Sequence, residues 1–401
     1  MRRAIVVVVV LGCAYVIVQL VRPDPPVSAM TNTISKTIPG TPVPPPWPSE
    51  GEAAIGVEGS GLLSVHGRQM PTPLASITKL MTAYVVLHDH PLAGRTSGPV
   101  ITINERDVAT YEKDRATGDS VVAVSQGERL NELQALEALL IPSGDNIANL
   151  LARWDAGSER AFVARMNATA KLLGLVDTRY TDASGVTTGS VSTASAQARL
   201  AMADMAIPVF RSVIDMPQVT LPVAGVQYNV NAELGTDGIV GIKTGWTPSA
   251  GGCFVFAAQA TIDGRTRTIV GAVLHQLATL AQPSPLMAAF NASTALLAGI
   301  KKTLEQDTVV HRGETLGHLD VPWGRPVGLK AAHAAIVIGM PGEHVRGAVE
   351  LRRPMTSSLR ADRPVGSLVI RLGEERVIVP VDAARALPSP PIPWRLTNTN
   401  L

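Results

Sequence analysis

Ser76-Ile77-Thr78-Lys79 is the only Ser-x-x-Lys in the chain. It opens a run, Ile77, Leu80, Met81, Tyr84, Val85 and His88, whose spacing predicts one buried helical face. On a helix, residues three apart share a face with about 5 to 6 Å between Cβ atoms, so a hydroxyl and an amine placed this way can meet. A serine at a helix start is ordinarily a cap, and a lysine there is ordinarily solvated. The position argues for more. A lysine in the first turn opposes the helix dipole, and that same positive end favours a neutral amine able to take a proton from the serine.

Two other strings carry potential chemistry. Lys243-Thr244-Gly245 follows the apolar Gly238-Ile239-Val240-Gly241-Ile242, which places it at the end of a short strand. There Lys243 offers a cation and Thr244 a hydroxyl to a carboxylate, while Gly245 lets a substrate backbone lie against the strand. A strand end running into a turn is the plain alternative. Pro142-Ser143-Gly144-Asp145-Asn146 directly follows Leu139-Leu140-Ile141 and is ordinary turn chemistry on its own.

The rest of the chain must position these strings. At 401 residues it is too long for one compact core, so two globular domains with flanking segments are expected. The formal net charge of +2 gives no field suited to nucleic acid. Only two cysteines occur, Cys13 and Cys253, so no disulfide framework and no cysteine metal site is expected, and no cofactor is implied.

Residues 1–22 join Met1-Arg2-Arg3 to an almost wholly apolar run from Ala4 to Val21, which predicts export through a membrane anchor or a signal peptide. The anchor is favoured by length, and cleavage after Val27-Ser28-Ala29 is the rival. Residues 23–52 are proline-rich and read as a semi-extended spacer with no part in a core. Residues 53–305 alternate strand and helix patterns: a hairpin over 53–65, helices over 130–140, 162–173 and 286–304, and strands over 252–260 and 266–273. Residues 306–385 turn β-rich, with strand candidates at 309–310, 336–338, 348–351, 367–370 and 377–379, and read as a small sandwich. Residues 386–401 form a proline-rich, polar tail without amphipathic period, so no membrane-surface helix is expected there.

A Ser-x-x-Lys at a helix start, a serine-containing turn and a Lys-Thr-Gly on a strand, in that order, are the three elements of penicillin-binding proteins and serine β-lactamases. The segment Leu74–Tyr84 resembles the nucleophile segment of the low-molecular-mass penicillin-binding D-alanyl-D-alanine carboxypeptidases. Ala161–Asn167, Leu173–Thr178, Ser184-Gly185-Val186, Ser192-Thr193-Ala194 and Val240–Thr247 resemble the same family in the expected order. The resemblance covers about residues 53–273 and extends more loosely to the β-rich region.

It implies an α/β (α+β) catalytic domain of the penicillin-binding/β-lactamase type, an antiparallel sheet flanked by helices, followed by a small all-β domain. It further implies Ser76 as acylated nucleophile, Lys79 as general base and Ser143 as proton relay. Lys243, Thr244, Gly245 and Trp246, with Asp145 and Asn146, would bind substrate, and the backbone N–H groups of Ser76 and Trp246 would form an oxyanion hole. The implied partners are peptidoglycan stem peptides ending in D-Ala-D-Ala, β-lactams and, through the N-terminal segment, a membrane.

Two positions depart from the family. Asp145 stands where relatives carry Asn, with Asn146 following as though the pair were exchanged, and no arginine stands near His275 and Gln276. A carboxylate at 145 can only accept hydrogen bonds, so it is expected to hold the Lys79 ammonium and slow acylation, unless a shift of register brings Asn146 inward instead. A class A β-lactamase needs a Glu-x-x-Leu-Asn type loop between the second and third elements, and no such string lies between Ser143 and Lys243. A catalytically weak wall-binding protein is the other alternative.

Overall fold

The computed structural model describes residues 2–58, 60–93, 96–262, 264–280, 282–352, 359, 361, 363–373 and 375–398; the side chains of residues 2–4, 62, 63 and 375 lie outside that description. The chain divides into two compact units, one formed by 42–305 and the other by 1–41 with 306–401.

The unit 42–305 is built on a five-stranded sheet in the order Ile239–Thr247, Gly251–Ile262, Arg265–Gln276, Glu52–Val57, Gly61–His66. Every neighbouring pair is antiparallel. The three central strands, buried along most of their length, are near-continuous Val, Ile, Phe and Ala because helices cover both faces. Helix Pro285–Thr303 packs on Gly251–Ile262 and Arg265–Gln276, while Ala194–Met205 packs on Arg265–Gln276 and Glu52–Val57.

Helix Lys79–Asp89 sits among Glu132–Leu140, Asp145–Ala156, Glu159–Leu172 and Ala194–Met205, and Lys79 through Ala83 are all buried. The surrounding helices start where side chains satisfy their free N–H groups: Asn131 and Gln134 make a capping box, and Ser158 and Thr193 cap by their hydroxyls.

In the other unit a seven-stranded sheet runs in the order Ser28–Thr31, Thr315–Asp320, Val327–Ala331, Glu375–Ala383, Pro364–Leu372, His344–Leu351, Ile34–Thr37. A two-stranded ladder, Glu305–Val310 with Ala335–Gly339, lies against it, and an apolar core including Val309, Leu319, Leu329, Val337, Leu368 and Ile370 fills the unit.

The spacer expected over 23–52 is corrected here. Its proline-free window between Pro26 and Pro39 forms two strands, one at each edge of the sheet, and Ile38 is buried in the core. Proline composition masked this, because proline is excluded only from the paired residues themselves.

Arg2–Val21 is a 20-residue helix whose side chains from Ile5 onward are exposed, except Gln19. With the side chains of residues 2–4 outside the description, no helix among the described residues is long and apolar enough to cross a membrane. The tail contains one short helix, Ile392–Thr397.

Candidate active site

Ser76 lies in a 3-10 turn, Ala75–Thr78, that runs directly into helix Lys79–Asp89. Neither N-terminus carries a side-chain cap, so Ser76 is not spent as one. It is the one residue between Leu74 and Ala83 left partly exposed. Ala75 before it has φ +49°, a left-handed conformation costly for a side-chain-bearing residue and often stored at functional sites. The turn is wedged in place from two sides by glycines. A Cβ at Gly185 would lie 1.8 Å from the Ala75 carbonyl oxygen, and one at Gly245 would lie 3.0 to 3.1 Å from Leu74 O, Ser76 N and Ile77 N.

Lys79 has no exposed surface, and its ammonium makes three contacts. Nζ donates to Ser76 Oγ at 2.9 Å, to Asp145 Oδ1 at 2.5 Å and to the Ser184 carbonyl at 3.1 Å. Three acceptors for three N–H bonds satisfy a buried ammonium in full.

Asp145 is the first residue of helix Asp145–Ala156, where the helix dipole favours a carboxylate. Its second oxygen accepts from Ser120 N at 3.0 Å. Asn146 turns away: its amide accepts from Val122 N and donates to Val122 O, both at 2.9 Å. The register shift that would bring Asn146 inward therefore does not occur. Asp145 meets Lys79, and Asn146 fastens the segment around Val122.

Ser143 precedes that helix with φ +66°, and its buried hydroxyl has no hydrogen-bond partner among the described residues. A buried, unpaired hydroxyl is costly to keep.

On the sheet side, Lys243 and Thr244 are buried on edge strand Ile239–Thr247, and Trp246 is half exposed. Burial pushes the Lys243 amine well below the usual lysine range; the Lys79 charge adds to this and Asp145 opposes it. Nζ of Lys243 donates to Thr244 O at 3.1 Å. His275 Nδ1 contacts Ala250 O at 3.1 Å, and Gln276 Nε2 donates to Glu50 O at 2.7 Å, so both side chains at the positions without arginine are used in holding backbone.

The structure adds a group with no role assigned from sequence. Asp182 accepts from Gly185 N at 3.1 Å and Thr187 N at 3.0 Å, and from the Ser190 hydroxyl. Thr82 Oγ1 donates to Ala183 O at 2.6 Å. These bonds fix the turn that presents the Ser184 carbonyl to Lys79. The Asp-x-Ser-Gly string was a legible turn signal, but its partner was not.

Ser76, the buried Lys79 and the Lys-Thr-Gly edge strand are thus brought together, with Ser143 two residues before Asp145, and the family model for the D-alanyl-D-alanine carboxypeptidases, Peptidase S11, matches residues 52–275. The chain belongs to this family. A D-alanyl-D-alanine endopeptidase of Pseudomonas aeruginosa is 31% identical over 216 residues, covering 52% of this chain and 66% of that protein. The crystal structure of the Streptomyces K15 DD-transpeptidase superposes with a TM-score of 0.54 at 26% identity, covering 63% of this chain and 100% of that one. Penicillin binding protein 5 from Haemophilus influenzae shares the fold, with a TM-score of 0.63 at 20% identity over 86% of this chain and 99% of that one. The chain spans 54 to 66% of the length of the first curated relatives it matches.

Proposed function

We propose that this S11 family member is a serine D-alanyl-D-alanine carboxypeptidase that removes the terminal D-Ala of peptidoglycan stem peptides through a Ser76 acyl-enzyme. The observation that carries the reading is the hydrogen bond between Lys79 Nζ and Ser76 Oγ in a turn where Ser76 has no capping duty.

In this reading Lys79 acts as a neutral amine, its extra proton having been released to solvent water before attack, and takes the Ser76 hydroxyl proton as Oγ attacks the penultimate D-Ala carbonyl. The backbone N–H groups of Ser76 and Trp246 hold the oxyanion, a pairing supported by the close approach of Gly245 to Ser76 N. Ser143 passes a proton to the leaving amine, the C–N bond breaks, and water then hydrolyses the Ser76 ester. Lys243 and Thr244 hold the substrate's terminal carboxylate. A carboxylate entering beside Lys243 favours its charged form and offsets the desolvation that otherwise lowers it.

The same reading places the protein outside the cytoplasm, tethered by Arg2–Val21. A 20-residue helix rises about 30 Å, the thickness of a hydrocarbon core. Intact-protein mass spectrometry after penicillin treatment tests the enzymatic reading. One covalent adduct mapping to Ser76 is expected, with slow release; rapid nitrocefin turnover would point to a β-lactamase, and no adduct to a wall-binding role.

A further inference from the structure

The N-terminal helix is joined to the folded β unit by more than its peptide bond. Ser28–Thr31 pairs with Thr315–Asp320, and Ile34–Thr37 pairs with His344–Leu351. Two positions on the receiving strands accommodate this strap. A Cβ at Gly317 (φ +146°) would lie 2.2 Å from Met30 O, and one at Gly347 would lie 3.1 Å from the Ile34 Cβ. Between strap and helix, Arg22 Nη2 donates to Asn398 O and Arg395 Nη1 donates to Arg22 O, both at 2.8 Å, and Arg395 pairs with Asp24. Further up the helix, the Tyr15 hydroxyl donates to Leu396 O at 2.8 Å. The short helix Ile392–Thr397 therefore lies alongside the last two turns of the N-terminal helix, where Gln19 is buried among otherwise exposed apolar side chains.

The residues gathered there are of one kind. Trp394 meets Trp323 edge-on, with ring centroids 5.8 Å apart, and Trp323 Nε1 donates to Pro388 O at 3.0 Å. Arg385 Nη2 donates to Arg325 O at 2.7 Å, and both of these arginines, the second two residues after Trp323, are exposed. Indole and phenol rings with an apolar body and a polar edge, set among arginines at the end of an apolar helix, match the headgroup layer of a bilayer: rings sit at the boundary and guanidinium groups meet phosphates. The match is made by tertiary structure, which is why the tail's own sequence shows no amphipathic period.

We propose that Trp394 and Trp323, with the neighbouring arginines, form a collar that beds the β unit in the lipid headgroup layer at the end of the N-terminal helix. The β unit is then fixed to the membrane by the first part of the chain, the strap strands tying helix to sheet. This rests on the reading of Arg2–Val21 as a membrane anchor.

Full-length protein reconstituted in vesicles of phosphatidylcholine and phosphatidylglycerol, brominated either near the headgroup or near the acyl-chain end, tests it by tryptophan fluorescence. Near-headgroup bromine should quench the wild type more than deep bromine does. That shallow quenching should fall about twofold in Trp394→Phe, and again in Trp323→Phe, as expected for rings at headgroup depth. Trp154→Phe, in the catalytic unit, should leave it unchanged. Trp323→Phe also reads the collar independently should Trp394→Phe fold poorly. Shallow quenching that neither collar variant reduces, in protein that stays with the vesicles through alkaline carbonate washing, overturns the collar and leaves the anchor standing. Protein washed off by carbonate overturns both.

Discussion

Asp145 Oδ1 lies 2.5 Å from Lys79 Nζ, and both side chains are buried. A carboxylate held this way stabilises the ammonium, while the proposed base must be the amine. Asp145→Asn should therefore speed penicillin acylation at neutral pH, by about tenfold for each 1.4 kcal/mol of ammonium stabilisation removed. Stopped-flow acylation rates for wild type and variant measure it; a slower variant would show instead that the carboxylate takes part in moving the proton.

Asn146 serves the fold. Removing its amide orphans both backbone groups of Val122, so Asn146→Ala should cost about 1 to 3 kcal/mol of stability. At temperatures where the variant remains folded, its acylation rate should stay within a few-fold of wild type. Denaturant melts beside acylation rates separate the two effects, and a catalytic collapse in a stable variant would put Asn146 in the pocket after all.

Ser76→Ala should abolish the penicillin adduct at a stability cost of about 1 to 3 kcal/mol, because the serine makes no cap bond but its loss removes one of the three acceptors of the buried Lys79 ammonium. A cooperative melt with a modestly lowered midpoint and no adduct are the expected pair of results.

Gly245→Ala tests the wedge between edge strand and nucleophile turn. The new Cβ would stand 3.0 to 3.1 Å from three backbone atoms around Ser76, so the turn must give by a few tenths of an ångström. Displacement at this point should cut acylation by about 10- to 100-fold, since misplaced reacting groups lose much of their orientation advantage. The measured rate constant, compared with an unchanged circular dichroism spectrum, is the check.

Asp204 predicts a pH dependence of stability. It is fully buried on helix Ala194–Met205, both carboxylate oxygens lack partners among the described residues, and burial pushes its carboxyl well above the usual range. The folded state thus keeps a proton that the unfolded chain has released. The resulting stability is whole below the ordinary carboxylate value and is lost as pH rises through the native one. Asp204→Asn should flatten that loss and, near neutral pH, stabilise by about 1 to 3 kcal/mol. Denaturation midpoints in mild acid and mild alkali compare the slopes; an unchanged slope would show that Asp204 has a partner holding its charge.

The sequence by itself determined the strings that do chemistry and the elements that carry them. Ser76 and Lys79 were legible because a three-residue spacing at the start of an apolar-faced helix leaves their side chains one place to meet, although the α-helix begins at Lys79, three residues after its expected start at Ser76, with a 3-10 turn in the interval. Lys243-Thr244-Gly245 was legible as a strand end because an apolar run led into it. Where the partners are remote in sequence, only tertiary structure decided. Nothing local distinguishes Asp145 from Asn146 as the partner of Lys79: adjacent residues on a helix differ by a rotation of about 100°, and the position of Ser120 and Val122 selected which one faces inward. The Ser184 carbonyl is a backbone group and carries no side-chain signature. The strap strands and the short helix at the tail stayed hidden for the same reason. Each is too short to announce a period, and each takes its conformation from hydrogen bonds supplied by residues hundreds of positions away.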